Sequence, residues 1–279
     1  MSERVLEVSG LCKSYPGFAL QDVSFSLKRG EIMGLIGRNG AGKTTTLKSM
    51  LRLVQPDAGE IRYFGMDLFE RELEIKERIA VVSGGAHYYP AKRLRSILQV
   101  TRSFFPGWDE ELCVKYMEQF KLDERKQLRQ LSEGMKVKFA LVPALSRGAE
   151  ILILDEPTSG LDPVSREELL EIFMELADTG VSILFSTHII SDLEKCADSI
   201  TYIQNGSVRL SCSRKELTES YRLVQLPERM EDERLLGQRR GKDGYSALLR
   251  AEDAAHFDRP VRAATLEEIM LHLEKEAEA

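Results

Sequence analysis

Four sets of residues in this chain have types and positions that suit phosphate chemistry. Gly37-Arg38-Asn39-Gly40-Ala41-Gly42-Lys43-Thr44, followed by Thr45, spells G-x-x-x-x-G-K-T, a phosphate-binding loop. Gly37, Gly40 and Gly42 leave room for backbone N–H groups to approach an anion without a Cβ in the way. Lys43 can reach terminal phosphates, and the Thr44 hydroxyl can ligate Mg²⁺. Asp155-Glu156 is a pair of adjacent carboxylates after the apolar run Ile151–Leu154. Two such groups at the end of a buried strand are costly unless they meet cations or water. Asp155 is therefore a candidate for holding Mg²⁺, and Glu156 for orienting or deprotonating a water. His188 follows the run Val181–Ser186. A lone histidine is more often structural, but this position can also face a terminal phosphate. Ser132 in Leu131-Ser132-Glu133-Gly134-Met135-Lys136 suits a helix N-cap, and the same arrangement makes an anion site.

The flanking elements fit these roles. Glu31–Ile36 reads as a short buried strand before the loop, and Thr44–Leu51 as a helix after it, so the helix N-terminus adds positive potential at the loop. Val5–Ser9 and Ala19–Leu27 read as strands, with turns at Pro16-Gly17 and Arg29-Gly30. Glu60–Phe64 and Ile79–Ser83 add strands, with a helix at Leu68–Arg78 between them. From Leu94 to Ser146 the period is helical, broken at Pro106-Gly107, and Pro143 should kink the last helix. Ile151–Leu154 is a continuous apolar run, the mark of a strand covered on both faces. A helix at Pro163–Asp178, a strand at Val181–Ser186 and a helix at Ser191–Ala197 follow. Asn205-Gly206 between Ile200–Gln204 and Ser207–Ser211 signals a hairpin. Past Glu219 charge density rises, and Thr265-Leu266-Glu267-Glu268 is a capping box for a final helix.

Composition narrows the function classes. The chain has 279 residues, 43% hydrophobic and 30% charged, enough for one large domain with an appendage. A net charge of −6 argues against a general nucleic-acid binder. Cys12, Cys113, Cys196 and Cys212 are scattered without metal-ligand spacing, as in a reducing compartment. No basic-then-apolar leader opens the sequence, and the longest stretches free of Asp, Glu, Lys and Arg, such as Thr179 to Ser191, are too short to span a bilayer.

Taken in order, Tyr15, Gly37–Thr44, Leu131-Ser132-Glu133-Gly134, Ile151–Glu156, Ser159-Gly160-Leu161-Asp162 and His188 resemble the nucleotide-binding subunits of ABC transporters, from about Val5 to Arg214. The Ser-x-Gly-Met-Lys signature is similar to that of small bacterial export-type subunits. The resemblance implies an α/β P-loop NTPase core at residues 1–218, with an antiparallel β subdomain and a helical insert at about 84–146. Residues 219–279 then form a small C-terminal α+β appendage. It also implies ATP and Mg²⁺ as ligands, a head-to-tail homodimer or heterodimer, and a separate transmembrane permease. The chain would lie peripherally on the cytoplasmic face of the cell membrane. Tyr15 would stack on adenine, Ser132 and Gly134 would contact the γ-phosphate held by the other subunit, and Asp162 would sit beside them. Glu156 would be the catalytic base, aided by Lys43 and His188. Three positions depart from the family pattern: Gly84 replaces the usual loop glutamine, with Ser83 or His87 as substitutes, Glu133 replaces a small residue, and Met135 replaces a glutamine. The aromatics Tyr88, Tyr89, Phe104, Phe105 and Trp108 suit a docking surface, and Phe104 and Phe105 suit the insert's own core equally. The competing function is a soluble ABC-type ATPase acting on translation or nucleic-acid machinery. Against it stand one cassette where such chains usually carry two, and the lack of a sustained heptad run.

Overall fold

The computed structural model describes residues 3–83, 89–242, 244–255 and 257–276, with Ser83 by its backbone alone. They divide into two compact units, Met1–Ser211 and Cys212–Ala279.

The first unit holds two sheets. β1 (Arg4–Tyr15), β2 (Phe18–Lys28), β4 (Ala58–Tyr63) and β5 (Met66–Asp67) form an antiparallel sheet in the order β2-β1-β4-β5. β1 runs past Ser9, where the turn residue Gly10 suggests an end, because register shifts on either side of Leu11 absorb the glycine. The second sheet has six strands. They are β3 (Ile32–Ile36), β6 (Ile79–Ser83), β7 (Ile151–Asp155), β8 (Ser182–Thr187), β9 (Ser199–Gln204) and β10 (Ser207–Ser213), in the order β10-β9-β3-β8-β7-β6. β9, β3, β8, β7 and β6 pair in parallel. Every residue of β3 and β8 is buried, as expected of strands covered on both faces. β9 and β10 are joined by Asn205-Gly206, both at positive φ, the turn the Asn-Gly signal specifies.

Helices α1 (Lys43–Met50), α2 (Glu72–Arg78), α6 (Pro163–Asp178) and α7 (Ile190–Cys196) connect the strands. α2 starts at Glu72 rather than Leu68 because the Asp67 carboxylate accepts from the N–H groups of Phe69 and Glu70, holding a turn there. α6 has the predicted bounds, with Asp162 as N-cap and Pro163 in its first turn. Leu35, Leu47, Met50, Ile61, Tyr63, Ile153 and Leu184 belong to one core that joins both sheets to α1. Burying each such side chain contributes about 1.5–3 kcal/mol. The Tyr63 hydroxyl donates to the Met50 carbonyl at 3.0 Å, which satisfies its one buried polar group.

The helical segment comprises α3 (Leu94–Arg102), α4 (Glu110–Gln119) and α5 (Glu133–Ser146), with Pro106-Gly107 between the first two. Pro143 lies inside α5 without ending it. Phe104 is exposed, while Phe105 is half-buried under the Arg147 guanidinium, 4.4 Å from its ring.

The second unit packs α8 (Arg214–Ser220), α9 (Ala251–Ala254) and α10 (Leu266–Glu276) on a four-stranded antiparallel sheet. Its strands are β11 (Tyr221–Leu226), β12 (Leu236–Gly241), β13 (Gly244–Arg250) and β14 (Val261–Ala263), in the order β12-β13-β11-β14. It begins at Cys212 rather than residue 219 because α8, capped by Ser213, packs on β11, α9 and α10. The capping box of α10 forms as its sequence suggests: Thr265 Oγ1 accepts from Glu268 N–H, and Glu268 accepts from Thr265 N–H. The Arg262 guanidinium on the same carboxylate holds its pKa down at about 2.

His272, 2% exposed, faces the Gly237 carbonyl from Nδ1 at 2.6 Å and the Ser246 hydroxyl from Nε2 at 3.2 Å. Burial holds its pKa below the ordinary value. The unfolded chain therefore takes the proton more readily, and stability is lost as pH falls through the unfolded histidine range, about 6.5, toward the lower folded value. We expect the thermal midpoint of the second unit to drop between pH 7.5 and pH 5, and the difference from His272→Gln to shrink over the same interval. Calorimetry of the two proteins across that range checks it; a pH-independent difference would show that His272 titrates alike in both states.

Candidate active site

The phosphate loop leaves the carboxyl end of β3 and enters α1 through Gly42. No side chain caps α1, and its first turn holds no acidic residue, so its N–H groups and positive potential face the adjoining cleft. That cleft measures about 880 Å³, and its lining includes Arg38, Asn39, Gly40, Thr44, Thr45 and Glu156. Lys43 is only 6% exposed. Its ammonium donates to the Gly37 carbonyl at 2.7 Å and lies 3.4 Å from the Arg38 carbonyl and 3.5 Å from Glu156 Oε1.

The loop is held from behind by the β9–β10 hairpin. Gly206 N–H donates to the Ala41 carbonyl at 2.9 Å, and the Gly206 carbonyl accepts from Gln21 N–H at 2.8 Å. A Cβ at Gly206 would come within 1.8 Å of the Ala19 carbonyl oxygen, so only glycine fits.

Asp155 and Glu156 sit at the carboxyl end of β7, beside β8. Ser186 of β8 organises both. Its hydroxyl donates to Asp155 Oδ1 at 2.6 Å and accepts from Glu156 N–H at 2.9 Å. The other Asp155 oxygen lies 3.3 Å from Thr44 Oγ1. Glu156 adopts φ of 50°, a left-handed conformation that costs about 1–2 kcal/mol in a residue with a Cβ. Its two carboxylate oxygens then face different partners. Oε1 faces Lys43, and Oε2 is 2.8 Å from His188 Nδ1. Lys43, Thr44, Asp155, Glu156 and His188 therefore converge at one place.

Ser132, Gly134 and Asp162 form a second group. Ser132 caps α5 and accepts from Met135 N–H at 3.2 Å. Asp162 caps α6, accepting from the N–H groups of Val164 and Ser165 and from the Ser165 hydroxyl, which hold its pKa below the ordinary range. A Cβ at Gly134 would lie 3.0 Å from Ser165 Cβ, so the glycine lets the two helix starts approach closely. Ser132 and Asp162 are exposed. Glu133 lines the cleft and pairs with Lys136 at 2.6 Å, which offsets its charge locally. Met135 is half-buried.

Tyr15 lies at the end of β1, 41% exposed, with the Lys13 ammonium 5.7 Å from its ring centroid. Phe18, its cross-strand partner, lines the cleft. Phe18 and Ser186 are site residues that carry no motif; the signal is only an aromatic and a small hydroxyl at the ends of strands that meet the loop. Gly84, His87 and Tyr88 lie outside the described residues, as does the side chain of Ser83.

Residues 20–159 match the ABC transporter family. The chain is 30% identical to the ABC transporter ATP-binding protein YtrB of Bacillus subtilis, over 80% of this chain and 76% of that protein. It is 32% identical to the bacitracin transport ATP-binding protein BcrA of Bacillus licheniformis, over 73% and 68%. A solved ATP-binding subunit of an ABC transporter superposes with a TM-score of 0.69 at 31% identity, covering 76% of this chain and 91% of that one. With the phosphate loop, the two carboxylates and the histidine gathered on a P-loop fold, the chain belongs to the family of ABC transporter ATP-binding proteins.

Proposed function

We propose that the chain is the ATP-hydrolysing subunit of an ABC transporter and drives a separate membrane permease. The observation that carries this reading is the convergence of Lys43, Glu156 and His188 beside an uncapped helix N-terminus. Loop N–H groups and Lys43 bind the ATP phosphates, and the aromatic face of Tyr15 takes the adenine. Thr44 and Asp155 present two hard oxygens 3.3 Å apart, a donor set that suits Mg²⁺. When bound, Mg²⁺ would offset charge on the β- and γ-phosphates.

The chain's own residues supply the proton transfer. Phosphates draw Lys43 from the Gly37 carbonyl and from Glu156. The freed Glu156 carboxylate orients the attacking water and accepts its proton, while His188 steadies Glu156 and faces the γ-phosphate. The starts of α5 and α6 bring Ser132, Gly134 and Asp162 together, where they serve the ATP of a second subunit. Two sites then form in a head-to-tail dimer.

Among the described residues no helix is long and apolar enough to cross a membrane. Coupling to the permease runs through a docking surface on the helical segment. A cleft of about 470 Å³ there has Leu98, Trp108, Val114, Met117 and Leu122 in its lining, beside charged residues that include Arg102 and Glu110. Phe104 and Tyr89 are among the exposed large side chains. Docked on a permease, the chain lies at the cytoplasmic face of the membrane.

Lys43→Ala should abolish ATP binding, measured by equilibrium titration. Glu156→Gln should keep ATP binding and lower kcat by about 10²–10⁴-fold, the range of general-base catalysis. Equal steady-state rates for Glu156→Gln and the parent would falsify the base assignment.

Mg·ATP should convert the Glu156→Gln protein from monomer to dimer in sedimentation velocity, and Ser132→Arg should prevent it. A monomer at high concentration, alone and with its permease, would remove the shared-site reading.

Trp108→Ala should leave basal ATPase unchanged and lower recovery of the chain with membranes. Unchanged recovery in a folded variant places the permease contact elsewhere.

A further inference from the structure

Behind the reaction centre lies a buried carboxylate that the mechanism above does not use. Asp192 of α7 is 1% exposed. A carboxylate so placed is costly unless paired, and its partners show what it holds. Oδ2 accepts from the Thr158 hydroxyl at 2.6 Å. Thr158, also fully buried, lies two residues beyond Glu156 on the loop that places the left-handed turn. Oδ1 faces Arg166 Nε at 3.9 Å. Arg166 is one helical turn beyond Asp162 on α6, and its buried Nε makes no hydrogen bond. Asp192 itself lies in the first turn of α7, and His188 precedes that helix. Burial pushes its carboxyl pKa up; the Thr158 hydroxyl, Arg166 and His188 draw it down, and Glu156 adds to the rise.

We propose that Asp192 is a positioning residue that ties the Glu156 loop and the start of α6 to the His188 segment. The Glu156 loop, the adjoining start of α6 and the His188 segment must keep a fixed relation, and from the last of these the Asp192 side chain reaches Thr158 in the first and faces Arg166 in the second. Asp192 touches no reacting atom; it acts through Thr158 and Arg166. The inference rests on the ATPase reading of the site.

The test uses the full-length protein with Asp192→Asn, Thr158→Val and the double variant. A misplaced catalytic group costs about 10²-fold per ångström, so kcat should fall about 10- to 100-fold. KM, and ATP affinity measured in a Glu156→Gln background, should stay at parental values. The double variant should be no slower than Asp192→Asn, because both changes break one connection. Amide hydrogen exchange at residues 156–161 and 187–189 should accelerate, while that of α1 stays unchanged. Parental kcat in Asp192→Asn, additive losses in the double variant, or equal losses of kcat and affinity would overturn the proposal. Thr158→Val removes one hydroxyl at constant shape, so it decides the matter even where Asp192→Asn fails to fold. If the parent shows no ATPase activity that Glu156→Gln abolishes, the reading of the site has failed; the exchange data still decide whether Asp192 holds the loops.

Discussion

A lysine ammonium buried to 6% exposure is the constraint on which the first unit turns. Removing such a charge from water costs several kcal/mol unless acceptors surround it. Here the acceptors are the Gly37 and Arg38 carbonyls and the Glu156 carboxylate. The loop must fold back over its own lysine to provide the first two. The third must come from another strand, held by something stiffer than a loop. Ser186 does this from β8, and the strand order explains how: β8 lies between β3, which delivers the loop, and β7, which delivers the carboxylates. A sequential sheet would not place a β8 hydroxyl between them. The crossed order is thus the geometric condition for giving the buried Lys43 ammonium a carboxylate from a second strand.

Much of this was legible in the sequence where the signal is local. The loop motif, the strand Ile79–Ser83, the helix Pro163–Asp178, the Asn205-Gly206 hairpin and the Thr265–Glu268 box all have their cause within a few residues, and the structure has them where those residues stand. What the sequence hid is long-range. Ser186 and Phe18 are ordinary residues made important by what another strand brings to them. The continuation of β1 past Gly10 depends on a bulge against β2. Assigning α8 to the second unit depends on contacts with α9 and α10, which no local pattern near residue 219 encodes. Phe104 and Phe105, adjacent in sequence, differ for the same reason: one has Arg147 above its ring, and the other faces solvent.

The starts of α5 and α6 illustrate how capping divides labour. The Ser132 hydroxyl and the Asp162 carboxylate already accept from their own helices. Each cap therefore fixes a helix end rather than offering a free acceptor, and a ligand arriving there meets backbone dipoles and the Ser132 hydroxyl proton. An anion is favoured at such a surface, with the exposed Asp162 and Glu133 setting how closely it approaches.

The clamp at Gly206 carries a consequence for reading inherited variation. The residue lies far along the chain from the nucleotide loop and has no side chain to contribute, so a sequence-based survey would file a change there under turns. Its backbone nonetheless joins Ala41 to Gln21, and the Ala19 carbonyl leaves no room for even one methyl group. A missense allele at this codon would disturb the nucleotide loop while leaving every residue of the loop itself unchanged.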